Sequence, residues 1–137
     1  MESRKIEDLD IELADAFTKT LAKWRELYPT LPVPFLTCTH RPNADQTKLY
    51  ASGRTAKGKI VTHAKAGQSP HNFLPSMAFD IGFKTAKGGL DWSEHLFEKF
   101  AFLVEKVNIQ VVWGGNWQTF KDLPHFELKN WKLLVKR

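Results

Sequence analysis

The sequence predicts an α+β fold, a single domain over residues 1–137 with a small, mainly antiparallel sheet and flanking helices. Two segments carry apolar residues at steps of three and four, the mark of helices with one buried face. Four short segments rich in β-formers lie between and after them at irregular intervals, so helices and strands do not alternate as they would around a parallel sheet. A chain of 137 residues, 42% of them hydrophobic, closes one core and is too short for two. There is no internal repeat, low-complexity run or linker, and so no room for a separate binding module.

The first helix spans residues 7 to about 28, with Leu13, Phe17, Leu21, Trp24 and Leu27 on its apolar stripe. It must stop before "YPTLPVP", where closely spaced prolines remove donors and clash with the preceding turn. "FLTCTH" then reads as a short strand that delivers His40 and Arg41 to its end. "NADQTKLYASG" reads as a short helix with Asn43 as N-cap and Gly53 as C-cap, and residues 54–68 read as a loop. In "SMAFDIGF" the large residues Met77, Phe79, Ile81 and Phe83 alternate with Ser76, Ala78, Asp80 and Gly82, the period of a strand. Asp80 therefore faces away from the core side, among small neighbours that leave room for something to bind. The second long helix, "DWSEHLFEKFAFLVEKVN", takes Ser93 as its N-cap, and "IQVVWGG" and "HFEL" complete the strands.

Composition excludes several classes of function. The first residues, "MESRKIEDLDIELADAF", are charged throughout and contain no apolar stretch of the signal-peptide kind, and no segment approaches the length of a membrane span. A protein made and held in the cytoplasm is expected. The single cysteine, Cys38, rules out an internal disulfide and thiol-based zinc clusters, so any metal site must draw on His and carboxylate. A net charge of +5 favours acidic partners, whether nucleic acid, an anionic membrane or a cell-wall polymer. The basic residues are spread along the chain and no RNA-recognition signature or zinc finger is present, which argues against nucleic acid.

Among the five histidines and the carboxylates, His71, Asp80 and His125 stand out as ligand types. Two imidazoles and a carboxylate would leave a zinc ion a fourth position for water, the arrangement of a catalytic and not a structural site. Asp122, three residues before His125, can supply a general base. Taken singly, each of these residues has an ordinary reading as a hydrogen-bonded or surface group, as do His63 in a lysine-rich loop and His95 beside Glu94.

The surrounding motifs add to this. "SPHNFLPSMAFDI" with "WGGNWQTFKDLPHFEL" resembles the zinc D-Ala-D-Ala carboxypeptidase and L-alanyl-D-glutamate endopeptidase family, which includes many phage endolysins. The family's Ser-x-His, Ala-x-Asp and acid-x-x-His fall on Ser69, His71, Ala78, Asp80, Asp122 and His125, and "LTCTHRPNADQTKLYASGRT" is similar to its arginine-bearing strand end and glutamine-bearing helix, at Arg41 and Gln46. The likeness covers about residues 35–128. It departs from the commonest pattern in the longer spacer "NFLPSM" between His71 and Asp80, which resembles a His-Asn branch of phage and bacterial endopeptidases, and in Asn116 where an Asp is common.

The resemblance implies a Hedgehog- or DD-peptidase-like fold and a zinc ion held by His71, Asp80 and His125. It implies further that Asp122 is the catalytic base, that Arg41 steadies an oxyanion or substrate carboxylate, and that Ser69 donates to substrate. Glu127, on the same side of its strand as His125, is the rival base or a residue that orients the ligand. The implied substrate is the stem peptide of peptidoglycan, cut between L-Ala and D-Glu by a monomeric, phage-type lysin that waits in the host cytoplasm before release to the wall. A D-Ala-D-Ala carboxypeptidase and an inactive relative with a binding or structural role are the alternatives.

Overall fold

The computed structural model describes residues 1–135. After a 3-10 turn at Ile6–Asp8, helix α1 runs Ile11–Leu27. It starts four residues later than its apolar stripe suggests because Asp10 takes the N-cap position, its side chain accepting from the Glu12 N–H. Strand β1 (Val33–Cys38) also begins earlier than expected and includes Pro34. The sheet order β1-β2-β4-β3 explains this, since β1 is an edge strand, where a missing N–H donor is tolerated.

Helix α2 (Asn43–Ala51) begins at Asn43, with Pro42 and not Asn43 in the N-cap position. It ends two residues before Gly53, whose φ of +78° suits glycine. Strand β2 (Ala78–Lys84) follows a 3-10 turn at Pro70–Asn72, and helix α3 (Glu94–Val107) follows Ser93. Ser93 holds the N-cap position without capping through its side chain; its hydroxyl and N–H are both tied to Asp91. Strand β3 (Val111–Trp113) is shorter than the sequence suggests, and β4 (His125–Leu128) leads into a last short helix, α4 (Trp131–Val135), that the sequence reading leaves out.

All three strand pairings are antiparallel. Helices α1 and α3 cover one face of the sheet, where Phe17, Phe79, Phe100 and Phe126 meet: Phe79 stacks on Phe126 with centroids 5.4 Å apart, and Phe100 meets Phe126 edge-on at 5.1 Å. The alternation foreseen for β2 is present, with Phe79, Ile81 and Phe83 fully buried and Asp80 turned to the other face. Pairing of β2 with β4 sets Phe79 opposite Phe126, Asp80 opposite His125 and Ala78 opposite Glu127. A register shift in β1 between Leu36 and Cys38 places Cys38 opposite Asp80 on the other side. One row across the sheet thus reads Cys38, Asp80, His125.

Phe126 lies directly between two members of that face in sequence and is itself wholly buried. Phe126→Ala is expected to cost about 3–5 kcal/mol of folding stability, as measured by urea denaturation.

Candidate active site

Asp80 is the centre of the polar face. Its Oδ1 lies 3.2 Å from His71 Nε2 and 3.0 Å from His125 Nδ1. His125 reaches it by strand register, whereas His71 arrives from the 3-10 turn, which Ser69 caps by accepting from the His71 N–H at 3.2 Å. Asn72 completes that cap: its Oδ1 accepts from the Ser69 and Gly67 N–H groups, and its Nδ2 donates to the Arg41 carbonyl at 2.9 Å. The turn is thereby tied to the end of β1, with the Arg41 N–H donating to the His71 carbonyl at 2.8 Å.

The outer ring nitrogens are also engaged. His71 Nδ1 is 2.7 Å from the Thr39 carbonyl, which also accepts from the buried Ser76 hydroxyl at 2.8 Å, and His125 Nε2 is 2.7 Å from Glu127 Oε1. All four ring nitrogens therefore face an oxygen acceptor. Two neutral imidazoles carry only two N–H groups, and the outer acceptors, Thr39 and Glu127, use both. This leaves the lone pairs of His71 Nε2 and His125 Nδ1 directed at the Asp80 carboxylate, an arrangement that calls for positive charge between them. Protons can provide it, and so can a metal cation bound by two neutral imidazoles and a carboxylate, with outer partners fixing both tautomers.

The electrostatics agree. Burial alone would raise the Asp80 pKa, but His71 and His125 outweigh it and hold the carboxyl far below the usual range. Burial alone would lower that of His125, but its hydrogen bonds to Asp80 and Glu127 push it up to about 10. Without a cation, the ring itself holds the positive charge.

Cys38, His71 and Asp80 also offer ligand atoms that lie within 4.8 Å of one another, so a metal-binding group including the thiol is present. Cys38 Sγ approaches His71 on the Nδ1 side, at 3.7 Å, where the nitrogen is already bonded to Thr39. Burial pushes the thiol pKa up to about 12, which keeps it protonated near neutrality as long as no cation is bound beside it.

Arg41 is largely enclosed. Its Nε donates to Glu2 Oε1 at 2.7 Å and its Nη1 to Gln46 Oε1 at 3.0 Å, while Nη2 lies 3.6 Å from Cys38 Sγ and 3.7 Å from Asp80 Oδ2. Burial would lower its pKa, but Cys38, Glu2 and Asp80 reverse this and the guanidinium stays charged. Its Nη2 edge, which donates to Cys38 Sγ, faces Asp80 and the cleft.

Asp122 and Glu127 divide in role. Glu127 is committed to His125 Nε2, as the strand period allows. The Asp122 carboxylate makes no side-chain hydrogen bond or ion pair among the described residues, and burial together with the negative charge of Asp80 raises its pKa. Both residues line an open cleft of about 950 Å³ with Arg41, Ser69, His71, Asp80 and His125, whereas the motif residues Gln46, Ala78 and Asn116 lie outside its lining.

The sequence reading did not single out the cleft's aromatic walls. The Trp117 ring lies 5.3 Å from that of His125, and His63, from the 54–68 loop, meets Phe120 edge-on at 4.5 Å. It also missed Cys38 and Glu2. The register shift that brings Cys38 to Asp80 leaves no trace in composition, and nothing in the pattern around Glu2 marks a contact with Arg41.

Three comparisons bear on this arrangement. A family model described as D-alanyl-D-alanine carboxypeptidase matches residues 62–128, the stretch that carries both histidines and Asp80. That stretch of the chain is similar to this peptidase family. The chain is 35% identical over 91 residues to the peptidoglycan L-alanyl-D-glutamate endopeptidase CwlK of Bacillus subtilis (strain 168), a match that takes in 61% of this chain and 53% of that protein. It thus spans about half the length of that curated relative. Its fold is that of the L-Ala D-Glu endopeptidase ChiX of Serratia marcescens, with a TM-score of 0.66 at 22% identity over 94% of this chain and 89% of the other.

The position of Asp122 depends on a close backbone approach. The Asp122 N–H donates to the Gly114 carbonyl at 3.2 Å, and a Cβ at Gly114 would fall 2.4 Å from the Asp122 carbonyl oxygen. Gly114→Ala is therefore expected to displace the Asp122 segment and to cost about 1–3 kcal/mol. Urea denaturation would give the cost, and amide chemical shifts around residue 122 the displacement.

Proposed function

We propose that this protein is a member of the family it resembles and a zinc-dependent peptidoglycan endopeptidase that hydrolyses the L-Ala–D-Glu bond of stem peptides. The observation that carries the reading is the convergence of two imidazole lone pairs and one carboxylate in an open cleft, beside an acid with no other partner. The likeness to an L-alanyl-D-glutamate endopeptidase supports the choice of bond. The long His71–Asp80 spacer, similar to that of phage and bacterial endopeptidases, supports a lytic, endolysin-like role.

His71 Nε2, Asp80 and His125 Nδ1 would hold the zinc, while Thr39 and Glu127 keep the two rings in the ligating tautomers. Bound zinc supplies Lewis acidity, lowering the pKa of water to about 7 and polarising the peptide carbonyl. Asp122 takes a proton from the attacking water and returns it to the leaving amine, a task suited to a carboxylate whose pKa is raised towards neutrality. Arg41 turns its Nη2 edge to the oxyanion or to a substrate carboxylate, and Ser69 keeps a hydroxyl proton to donate to substrate. Trp117 and Phe120 shield one side of the cleft from water.

Metal content separates the two possible ligand groups. His71→Ala and His125→Ala are expected to lose zinc, and Cys38→Ala to retain one equivalent, by elemental analysis of the purified proteins. Loss of zinc from Cys38→Ala with retention in His125→Ala would move the ion to the thiol side.

Digestion of purified peptidoglycan, followed by mass spectrometry, tests the reaction. New amino termini on D-Glu are expected, with L-Ala left on the glycan; release of free D-alanine alone would make the protein a carboxypeptidase. In the same assay Asp122→Asn should keep zinc and lose about 10²- to 10⁴-fold in turnover, and Glu127→Gln should lose less turnover but bind zinc more weakly. Because the Asp122 pKa is raised, the base form is lost as pH falls through a value above that of an ordinary aspartate. The acid limb of kcat/KM should therefore lie higher than a free carboxylate would place it, unless another group limits the rate there.

A further inference from the structure

Among the described residues Arg41 is the arginine whose guanidinium faces Asp80, and its placement depends on residues far from it in sequence. We infer that Glu2 is a positioning residue of the active site, fixing the guanidinium of Arg41 so that its Nη2 edge faces Asp80 and the cleft. The inference rests on the peptidase reading for its activity assay and on geometry alone for its structural one.

The Glu2 Oε1 to Arg41 Nε distance of 2.7 Å is the shortest polar contact Arg41 makes. The Arg41 side chain is 12% exposed and that of Glu2 39%, so the pair is screened from water on the arginine side. A charge-assisted bond of this kind is stronger than one between neutral groups and fixes the plane of the fork. Gln46, itself wholly buried and anchored by its Nε2 to the Ala64 carbonyl, holds the second corner. With Nε and one Nη1 hydrogen taken at the back, the guanidinium cannot rotate about its Cδ–Nε bond without breaking both contacts.

Glu2 does not sit there by chance contact of a loose end. The Ser3 N–H donates to the His40 carbonyl at 2.8 Å and the Thr39 N–H to the Ser3 carbonyl at 2.7 Å, which extends the edge of the sheet beyond β1. Farther on, the Ser76 N–H donates to the Asp8 carbonyl and the Asp10 N–H to the Ser76 carbonyl, so the same segment clamps both Thr39 and Ser76, the residues that hold His71. The segment before α1 is in this way part of the site's scaffold, and Glu2 is the side chain it delivers.

A double-mutant cycle tests this with the zinc-loaded, full chain. Glu2→Ala is expected to lower kcat/KM on peptidoglycan fragments about 10-fold or more, since a hydrogen bond to a charged group is lost, while zinc content and the melting temperature stay near those of the wild type. Glu2→Gln, which still offers an acceptor to Nε, should recover part of the loss. In an Arg41→Ala background the Glu2→Ala change should have no further effect, because it acts only through Arg41.

The second readout does not depend on turnover. The Nε–Hε resonance of Arg41, assigned by its absence in Arg41→Ala, should shift and exchange faster with water in Glu2→Ala. An additive loss in the double variant, or wild-type kcat/KM together with an unchanged Arg41 Hε resonance in Glu2→Ala, would overturn the inference. If the wild type has no peptidase activity while the Arg41 resonance responds to Glu2→Ala, the functional reading fails and the positioning contact stands.

Discussion

The register of β2 against β4 is the constraint on which the site depends. Asp80 and His125 stand opposite each other because Phe79 stands opposite Phe126, and the two aromatic rings stack on the core face while the carboxylate and the imidazole meet on the other. Side chains alternate along a strand, so neither pairing can be made without its neighbour. The apolar burial that stabilises the sheet is thus also the force that holds a carboxylate against an imidazole, a contact that would be costly to assemble from flexible loops.

His71 has no such help from the sheet and is placed by polar bonds instead. Ser69 and Asn72 shape its turn, the Thr39 carbonyl receives its outer nitrogen, and Ser76 steadies that carbonyl. Most of these groups are buried, so each bond lost would strand a polar atom in the interior. The site therefore has one imidazole set by hydrophobic register and one by a hydrogen-bonded network, and the two meet at Asp80.

Much of this was legible in the sequence. The period of two in "SMAFDIGF" gave the face of Asp80, the same period in "HFEL" placed Glu127 beside His125, and the stripe of α3 is buried, as is that of α1 at Leu13, Phe17 and Trp24 but not at Leu27, which lies exposed at the helix end. The errors lie where the pattern is silent. Asp10 competes with the apolar stripe for the start of α1, an edge position lets Pro34 join a strand, and α4 is too short to show a period. Cys38 needed the β1 register shift to reach Asp80, and Glu2 needed the segment before α1 to fold back along β1, neither of which any local pattern records.

The division of labour between sheet and turn also bears on how such a chain can change length. A single residue inserted into β2 or β4 would exchange the two faces of that strand, turning Phe79 or Phe126 outward in the same event that removes Asp80 or His125 from the cleft. The exposed pair Leu74 and Pro75 is different: it lies between Phe73, whose ring meets that of Trp131, and Ser76, which is buried and tied to the Thr39 carbonyl. Residues can be added or removed there while both ends stay tied. Variation in the spacing between His71 and Asp80, the feature in which this chain departs from the commonest pattern of the family it resembles, can fall on that exposed pair without stranding a buried polar group.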